Sequence, residues 1–480
     1  MIPIVQYHFL NKIMTQNFFP ILALSSLFMV AACSPEKKEG CTDPTATNYD
    51  PEAETDNGSC TYFQDTATVN ITGDITANVT WEAERKYLIQ GFVYVKEGVT
   101  LTIESGTIIK GDKASKGTLV VERGAMLIAN GTAASPIVFT SALPAGQRGY
   151  GDWGGIIICG RAPINVPGGQ GVVEGGTEAY FGGSDPEDNS GIIRYVRIEF
   201  AGIAFQPNQE INGLTMAGVG RGTQIDHVQV SYCGDDSFEW FGGTMNAKHL
   251  VAHRGWDDDF DTDNGYSGSV QFAVGFRDPL IADASGSNGF ESDNDAGGTD
   301  NTPNTTGVFS NVSVFGPKAT AQTSVDFQYE SGMHLRSNTR LRIFNSVVTG
   351  FPEGIYVKGN FAQNNATAGE LVVRNSVVAA CEVNLKVDLF SPFDINAWFA
   401  ANDNVAFDNI SDLQIASPVN LTSPDPIPSA GSVLLSGADF TDVLLSQPQH
   451  DITTVNYRGA FGSENWLAGW TNFDPQNTVY

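Results

Sequence analysis

The chain contains HVQVSYCGDDSFEWFGG at residues 227–243 and HLVAHRGWDDDFDTDNG at residues 249–265, which align without a gap at an offset of 22 residues. A third copy begins at Gln271 with QFAVGF and reaches FESDND at Phe290. Such a period is typical of a solenoid, in which each unit buries its apolar face only against its neighbours. The units alternate β-branched and polar residues and lack apolar residues at helical spacing. The repeat therefore predicts the coils of a β-helix.

The alignment also predicts which residues are equivalent in neighbouring coils. An offset of 22 residues places Phe238 beside Phe260, and further along an offset of 30 residues places Asn345 beside Asn375. Coil length therefore varies through loop insertions while the strand positions persist. Asn at repeated corners suits a left-handed backbone and side-chain ladders. We predict an all-β, right-handed parallel β-helix with coils of about 22 to 30 residues and long loop insertions.

The same stretch is strongly acidic. Between residues 226 and 295, fourteen Asp and Glu residues outnumber three Lys and Arg residues. Equivalent residues in stacked coils lie about 4.8 Å apart, where two carboxylates repel by about 3.5 kcal/mol at an effective dielectric of about 20. Converging columns would need a cation, and Ca²⁺ prefers several oxygen ligands; alternatively, Asp and Gly form solvated turns. The predicted calcium ligands are Asp235, Asp236, Glu239, Asp257, Asp258, Asp261, Asp263, Glu291 and Asp293.

Overall charge limits the possible partners. The chain has 480 residues and a formal net charge of −28. It contains no basic run long enough to follow a phosphate backbone, so we expect no nucleic-acid partner and no adhesion to anionic lipid. Its acidity is typical of an extracellular protein that meets cations.

The first residues have the pattern of a targeting segment. An apolar run from Phe18 to Ala32 ends in VAAC at Cys33, and the polar residues 34–39 follow as a tether. This ending resembles the signal of bacterial lipoproteins, which implies that residues 1–33 are a lipoprotein signal segment and that Cys33 becomes the lipidated N-terminus. We therefore expect a surface-exposed outer-membrane protein that meets the membrane through its lipid anchor only. The alternatives are an ordinary secretory signal or an uncleaved anchor.

Two segments flank the repeats. Residues 40–62 have too little apolar surface to fold alone, so we predict that Cys41 and Cys60 close them with a disulfide, which an exported protein permits. We assign residues 67–455 to the β-helix. The aromatic-rich residues 456–480 are predicted to cap the open edge of the last coil, because an exposed row of strand hydrogen-bonding groups needs cover.

Several segments resemble a known group of proteins. DDSFEWFGG, DDDFDTDNG, NGFESDND and the ending GAF…WLAGWTNFDP resemble right-handed β-helix lipoproteins of marine Bacteroidetes, and GCTDPTATNYD…DNGSC resembles a short Cys-bracketed repeat of secreted proteins from that group. The resemblance covers nearly the whole chain from Cys33. It implies the β-helix fold and export, and it transfers no catalytic residue.

Two functions of different classes fit these patterns. The first is a non-catalytic adhesin or glycan-binding β-helix, stabilised by Ca²⁺, whose partner is an extracellular glycan or a surface protein. The second is a polysaccharide lyase or glycoside hydrolase that uses the same acidic residues, a hypothesis that rests on analogy of fold.

The enzyme hypothesis names its own candidates. The possible bases of a lyase nearest the carboxylates are Lys248, Arg254 and Arg277. The possible carboxylate pair of a hydrolase, at the spacing that glycosidases require, would come from Asp235, Asp236, Asp257 and Asp258. The histidines expected to be structural or surface residues rather than general bases are His227, His249, His253 and His334.

Overall fold

A computed structural model describes residues 37–44, 46, 48–61, 68–205, 210–320 and 322–480. The chain divides into two compact units, Met1–Gln64 and Asp65–Tyr480. The predicted signal segment, the lipidation site Cys33 and the start of the tether lie outside the described residues. Within the described ranges, no helix has the length and apolar character needed to cross a membrane.

The first unit is small. Its strands Glu39–Gly40 and Thr55–Asp56 pair in parallel. Cys41 and Cys60 form a disulfide with their Cα atoms 4.8 Å apart, which confirms the predicted bond. Closing a loop of this length stabilises the unit by about 3 kcal/mol in the chain-entropy model.

The second unit is a parallel β-helix, which confirms the predicted fold class. One wall is a ten-stranded sheet in which every strand pairs in parallel with a strand of the next coil. Its strands are Phe92–Val95, Thr118–Val121, Ile156–Cys159, Leu214–Ala217, Phe238–Phe241, Phe260–Asp263, Phe290–Ser292, Ser331–Leu335, Glu353–Val357 and Val383–Val387.

The other walls belong to an 18-stranded sheet. A long strand such as Gly191–Glu199 pairs with two separate strands of a neighbouring coil, because it bends at Tyr195, whose φ is 48°. The strands are Val69–Thr72, Val79–Trp81, Lys86–Gln90, Thr100–Ile103, Ile108–Gly111, Met126–Asn130, Ile137–Ser141, Gly191–Glu199, Gln224–Ser231, Asn246–His253, Ser269–Phe276, Val308–Ser310, Ser313–Phe315, Arg342–Phe344, Val347–Thr349, Val372–Arg374, Val377–Ala379 and Val405–Phe407.

The predicted register is observed. Phe238 pairs with Phe260, as the offset of 22 residues predicts, and Phe260 pairs in turn with Phe290. These three side chains are fully buried, and their rings follow one another at centroid distances of 5.9 and 5.4 Å. Burying one such side chain stabilises the fold by about 1.5–3 kcal/mol.

The predicted left-handed corner is also observed. Asn345 and Asn375 lie in register between paired strands and have φ values of 51° and 53°. A short polar side chain tolerates this conformation because it forms local hydrogen bonds. In the preceding coils, residues with ring side chains occupy the equivalent corner position, although the left-handed backbone conformation is energetically unfavourable for bulky residues. These residues, with φ between 48° and 60°, are Tyr195, His227, His249 and Phe272.

Short elements complete the fold. They are the hairpins Gly171–Val172 with Tyr180–Phe181 and Ile415–Ser417 with Asp425–Pro428, the α-helices Gly359–Ala368 and Ile395–Ala401, and the 3₁₀ turns Ile410–Leu413 and Val433–Leu435. Helix Ile395–Ala401 follows the last strand of the ten-stranded sheet and buries Trp398 and Phe399 in the main core. An apolar helix therefore covers the interior at this end.

The prediction of an aromatic cap over the last coil is wrong. Residues 418–480, here called the C-terminal strap, run back along the outside of the 18-stranded sheet. Trp470 packs edge-on against His227 and Tyr195 at centroid distances of 5.5 and 5.9 Å, and Arg148 Nη1 donates to the Pro475 carbonyl at 2.7 Å. The rings at the left-handed corner present an apolar surface on the side of the solenoid, and the strap buries it.

Candidate functional site on the ten-stranded sheet

The acidic residues form a column on the outer face of the ten-stranded sheet. Successive residues of a strand point to opposite faces, so the carboxylates that follow the buried phenylalanines point outward. Glu239 pairs with Asp261, and Asp261 pairs with Glu291. The same column continues with His334 and then Tyr356.

A second outward column ends in positive charge. Thr262 and Ser292 are paired in register. Asp263 comes directly after Thr262, and Asp293 comes directly after Ser292. Arg336, in the next coil, donates from Nε to Asp293 Oδ1 at 2.9 Å and also forms an ion pair with Glu291. Arg336 therefore neutralises two of the predicted calcium ligands. The repeat gave no signal for it, because Arg336 lies beyond the acidic stretch.

A hydrogen-bond ladder runs along the corner beside the first column. The Asp258 amide donates to Asp236 Oδ1 at 2.8 Å, and the Asn288 amide donates to Asp258 Oδ1 at 2.5 Å. The Ser331 amide continues the ladder by donating to Asn288 Oδ1 at 2.9 Å. One oxygen of each Asp therefore has a structural role at a turn, as the alternative hypothesis of turn residues expects.

Five of the nine predicted ligands converge in two clusters. Asp235, Asp236 and Asp257 form one, and Asp236, Glu239 and Asp261 form the other, each with ligand atoms within 4.8 Å of one another. Asp257 Oδ1 and Asp261 Oδ1 are buried and have no hydrogen-bond partner among the described residues. A buried carboxylate oxygen without a partner is costly. Each cluster therefore offers an unsatisfied oxygen to a cation.

Burial and mutual repulsion make ionisation of these carboxyl groups unfavourable. Burial raises the pKa of Glu291 to about 8 and that of Asp263 to about 7. Burial also raises the pKa of six further groups well above the usual range, and neighbouring carboxylates add to the effect. These six are Asp235, Asp236, Glu239, Asp257, Asp258 and Asp261.

A loop adds carboxylates that the repeat did not reveal. Burial, together with the charge of Glu210, raises the pKa of Glu174 to about 7. The charge of Glu174 in turn raises the pKa of Glu239 and of Asp235. Glu174 reaches this place because its loop packs on the outer face of the preceding coils, where Phe181 lies in an apolar cluster. No periodic pattern marks such a contact in the sequence.

The cations proposed as lyase bases do not lie on this face, which corrects that part of the enzyme hypothesis. Each forms an ion pair elsewhere, and Arg277 is fully buried. The pairs and their N–O distances are Lys248 with Asp451 at 2.8 Å, Arg254 with Asp278 at 2.9 Å and Arg277 with Asp259 at 2.9 Å.

Three of the four histidines lie under the C-terminal strap. The imidazoles of His227 and His249 stack at a centroid distance of 4.2 Å, with their Nδ1 atoms 2.8 and 2.7 Å from Asp226 Oδ1. His249 Nδ1 is hydrogen-bonded to Asp226 Oδ1, whereas the buried His227 Nδ1 has no hydrogen-bond partner in the described structure. The His253 Nε2 atom lies 2.8 Å from the Leu421 carbonyl oxygen.

His334 is the histidine on the acidic face. Its ring stacks on Tyr356 at a centroid distance of 5.2 Å, and its side chain is 2% exposed. Burial, aided by the charges of Arg336 and Lys358, lowers the pKa of His334 to about 4. Its ring is therefore neutral at neutral pH, and in this arrangement it is shielded from a bound molecule.

The sequence matches the profile of the family described as pectate-lyase like beta helix domain over residues 73–417. The chain belongs to this family. Its fold is also similar to the crystal structure of the pectate lyase Pel9A, at 13% identity and a TM-score of 0.35, covering 79% of this chain and 88% of that chain. No curated protein matches the sequence at a significant level.

Proposed function

We propose that the acidic face of this pectate-lyase-like β-helix binds Ca²⁺ and, with it, an extracellular polysaccharide, without cleaving it. The observation that carries the proposal is the pair of carboxylate clusters, each with a buried, unpartnered oxygen. The matched family supports a role with polysaccharide.

The donor atoms suit Ca²⁺. This ion takes six to eight oxygen ligands in flexible geometry. Asp236 belongs to both clusters, so the carboxylates can hold one ion or share two. Three carboxylates leave coordination positions for water or for sugar hydroxyl and carboxylate oxygens. A divalent cation would also offset the repulsion that burial intensifies.

Binding fits the described residues better than cleavage does. Arg336 is held by Glu291 and Asp293, and His334 is buried. The clustered carboxylate oxygens lie within 4.8 Å, closer than the roughly 5–9.5 Å that separates glycosidase carboxyl groups. A polysaccharide lyase or hydrolase is the second candidate, and membership of the pectate-lyase-like family favours it.

Calorimetric titration with CaCl₂ tests the metal site. The chelator-treated parent should bind Ca²⁺, and Asp261→Asn should weaken binding at least tenfold because a charged ligand is lost. Asp403→Asn is the matched control, because Asp403 is exposed and has a φ of 55°, which Asn tolerates. Equal affinities for all three proteins would refute the calcium site.

A polysaccharide panel separates binding from cleavage. With Ca²⁺ present, the proposal expects retention on a polysaccharide, release by chelator, and unchanged chain length after prolonged incubation. Unsaturated sugar ends would instead identify a lyase, and new reducing ends without unsaturation a hydrolase. Retention that chelator leaves unchanged would contradict a role for Ca²⁺ in glycan binding.

We also propose that the protein is displayed on the outer membrane through a lipid on Cys33. The resemblance of VAAC to a lipoprotein signal supports this. Cys33→Ser should move the protein from the membrane fraction to a soluble or uncleaved form. Fractionation of the variant with the membrane, at the size of the processed parent, would contradict lipidation.

A further inference from the structure

A separate pocket adjoins the acidic face. It has a volume of about 470 Å³ and lies past the two carboxylate clusters, where the second outward column changes from acidic to basic. Its lining includes Asp293, Arg336, Lys358 and Phe361. Two cations against one carboxylate give these side chains a net charge of +1, in a chain of formal charge −28.

Lys358 is the available cation in this pocket. It follows the strand Glu353–Val357 directly, and its amide donates to the Leu335 carbonyl at 2.8 Å, which fixes it beside Arg336. Across the described part of the chain, its ammonium group has no carboxylate partner and lies 5.7 Å from the centroid of the Tyr356 ring. An uncompensated ammonium group facing a cavity is a ready anion ligand.

Phe361 supplies an exposed ring beside this charge. It lies in the first turn of helix Gly359–Ala368 and is 59% exposed. Asp388 fixes the start of the helix, because its Oδ2 accepts from the Gly359 amide at 2.6 Å and from Gln363 Nε2 at 2.9 Å. An anchored helix holds the ring in the lining of the pocket, where its apolar face is open to a molecule that enters.

We propose that this pocket binds an anionic substituent, a carboxylate or a sulfate, of a sugar whose ring packs on Phe361. Lys358 makes the charge-assisted contact, while Arg336 stays anchored to its own carboxylates. The proposal rests on the polysaccharide-binding function and specifies which saccharides it selects. It does not depend on Ca²⁺, because the pocket contains its own cation.

Fluorescence titrations in EDTA test the pocket with three oligosaccharides of matched length: oligogalacturonate, dextran sulfate and dextran. The full mature chain should bind at least one of the two anionic probes and should bind dextran at least tenfold more weakly. Whichever anionic probe binds more tightly identifies the preferred substituent. Failure of both anionic probes to bind, or equal binding of dextran, would overturn the proposal.

Variants locate the binding. Lys358→Gln should weaken binding of the anionic probe by about tenfold or more, as loss of a charged hydrogen bond implies, and Phe361→Ala should weaken it several-fold. Arg85→Gln changes the net charge equally at an exposed turn in the first coils and should have no effect. Parental affinity in both pocket variants would reject the pocket. Because these titrations exclude Ca²⁺, they stand apart from the calcium titration of Asp261→Asn.

Discussion

The two outer sides of the solenoid treat their polar residues differently. On the 18-stranded sheet, Gln271 clasps the backbone of the C-terminal strap, donating from Nε2 to the Thr453 carbonyl and accepting from the Thr453 amide, both at 2.7 Å. On the ten-stranded sheet, Asp257 and Asp261 each keep a buried oxygen without a partner in the described structure. Unpartnered buried nitrogens also occur under the strap, at His227 Nδ1 and His253 Nδ1. On the ten-stranded sheet the unpartnered atoms are oxygens of clustered carboxylates, for which a bound ion or water is an explanation.

The largest expected effect comes from the side that the C-terminal strap covers. Trp470 is 2% exposed and packs on the ring column at the left-handed corner. Trp470→Ala should lower the free energy of unfolding by about 3–5 kcal/mol, as truncation of a buried Trp usually does. Denaturant unfolding measures it. Trp256→Ala, at a Trp that is 38% exposed, should cost much less. Equal losses would show that the strap adds little stability.

The next effect belongs to the acidic side. Saturating Ca²⁺ at a hundredfold excess over Kd should stabilise the protein by about 2.7 kcal/mol, because only the native state presents the clusters. Chelator should therefore lower the melting temperature of the parent. Asp235→Asn combined with Asp257→Asn should remove this sensitivity and relieve repulsion, so the chelator-treated double variant should be at least as stable as the chelated parent. A full chelator effect in the double variant would mean that the ion binds elsewhere.

A smaller effect should follow from removing the two hydrogen bonds between Gln271 and Thr453. Gln271 is fully buried, and Gln271→Ala would leave the Thr453 amide and carbonyl unpaired. The expected loss is about 1–3 kcal/mol, the cost of unsatisfied buried groups. Gln224→Ala, at an exposed residue two coils earlier, should be nearly neutral in the same unfolding measurement. If Gln271→Ala is also neutral, water pairs with the Thr453 amide and carbonyl in place of the side chain.

The smallest effect is a pH dependence. The raised pKa of Glu291, about 8, and of Asp263, about 7, means that the native state holds these protons more tightly than the unfolded chain. Stability from these groups is therefore complete below pH 4 and is lost as pH rises through 7 to 8. Buried histidines act in the opposite direction, but chiefly below their unfolded pKa of about 6.5.

In chelator, the melting temperature should therefore fall between pH 6.5 and 8.5, and Ca²⁺ should reduce the fall because it stabilises the ionised carboxylates. Thermal unfolding at several pH values, with and without Ca²⁺, measures both slopes. A melting temperature that rises over this range in chelator would show that the acidic face is not held protonated.

The sequence alone determined the features that repeat. The offsets of 22 and 30 residues predicted the pairs Phe238 with Phe260 and Asn345 with Asn375, and both are in register. They could be predicted because stacked coils contact only their neighbours, so the same residue types recur at fixed spacing. The acidic columns were visible for the same reason, and Cys41 and Cys60 were the only pair within their short segment.

Contacts that follow no period in the sequence are seen only in the folded protein. Trp470 reaches the corner at Tyr195, Glu174 reaches the acidic clusters from a loop, and Arg336 takes two carboxylates that the repeat had assigned to a cation. Such contacts depend on the path of long connections and on which surface remains to be buried, neither of which leaves a spacing in the sequence. The repeats therefore determine how the coils stack. The non-repeating segments, such as the C-terminal strap, determine which outer face of the solenoid remains available to a ligand.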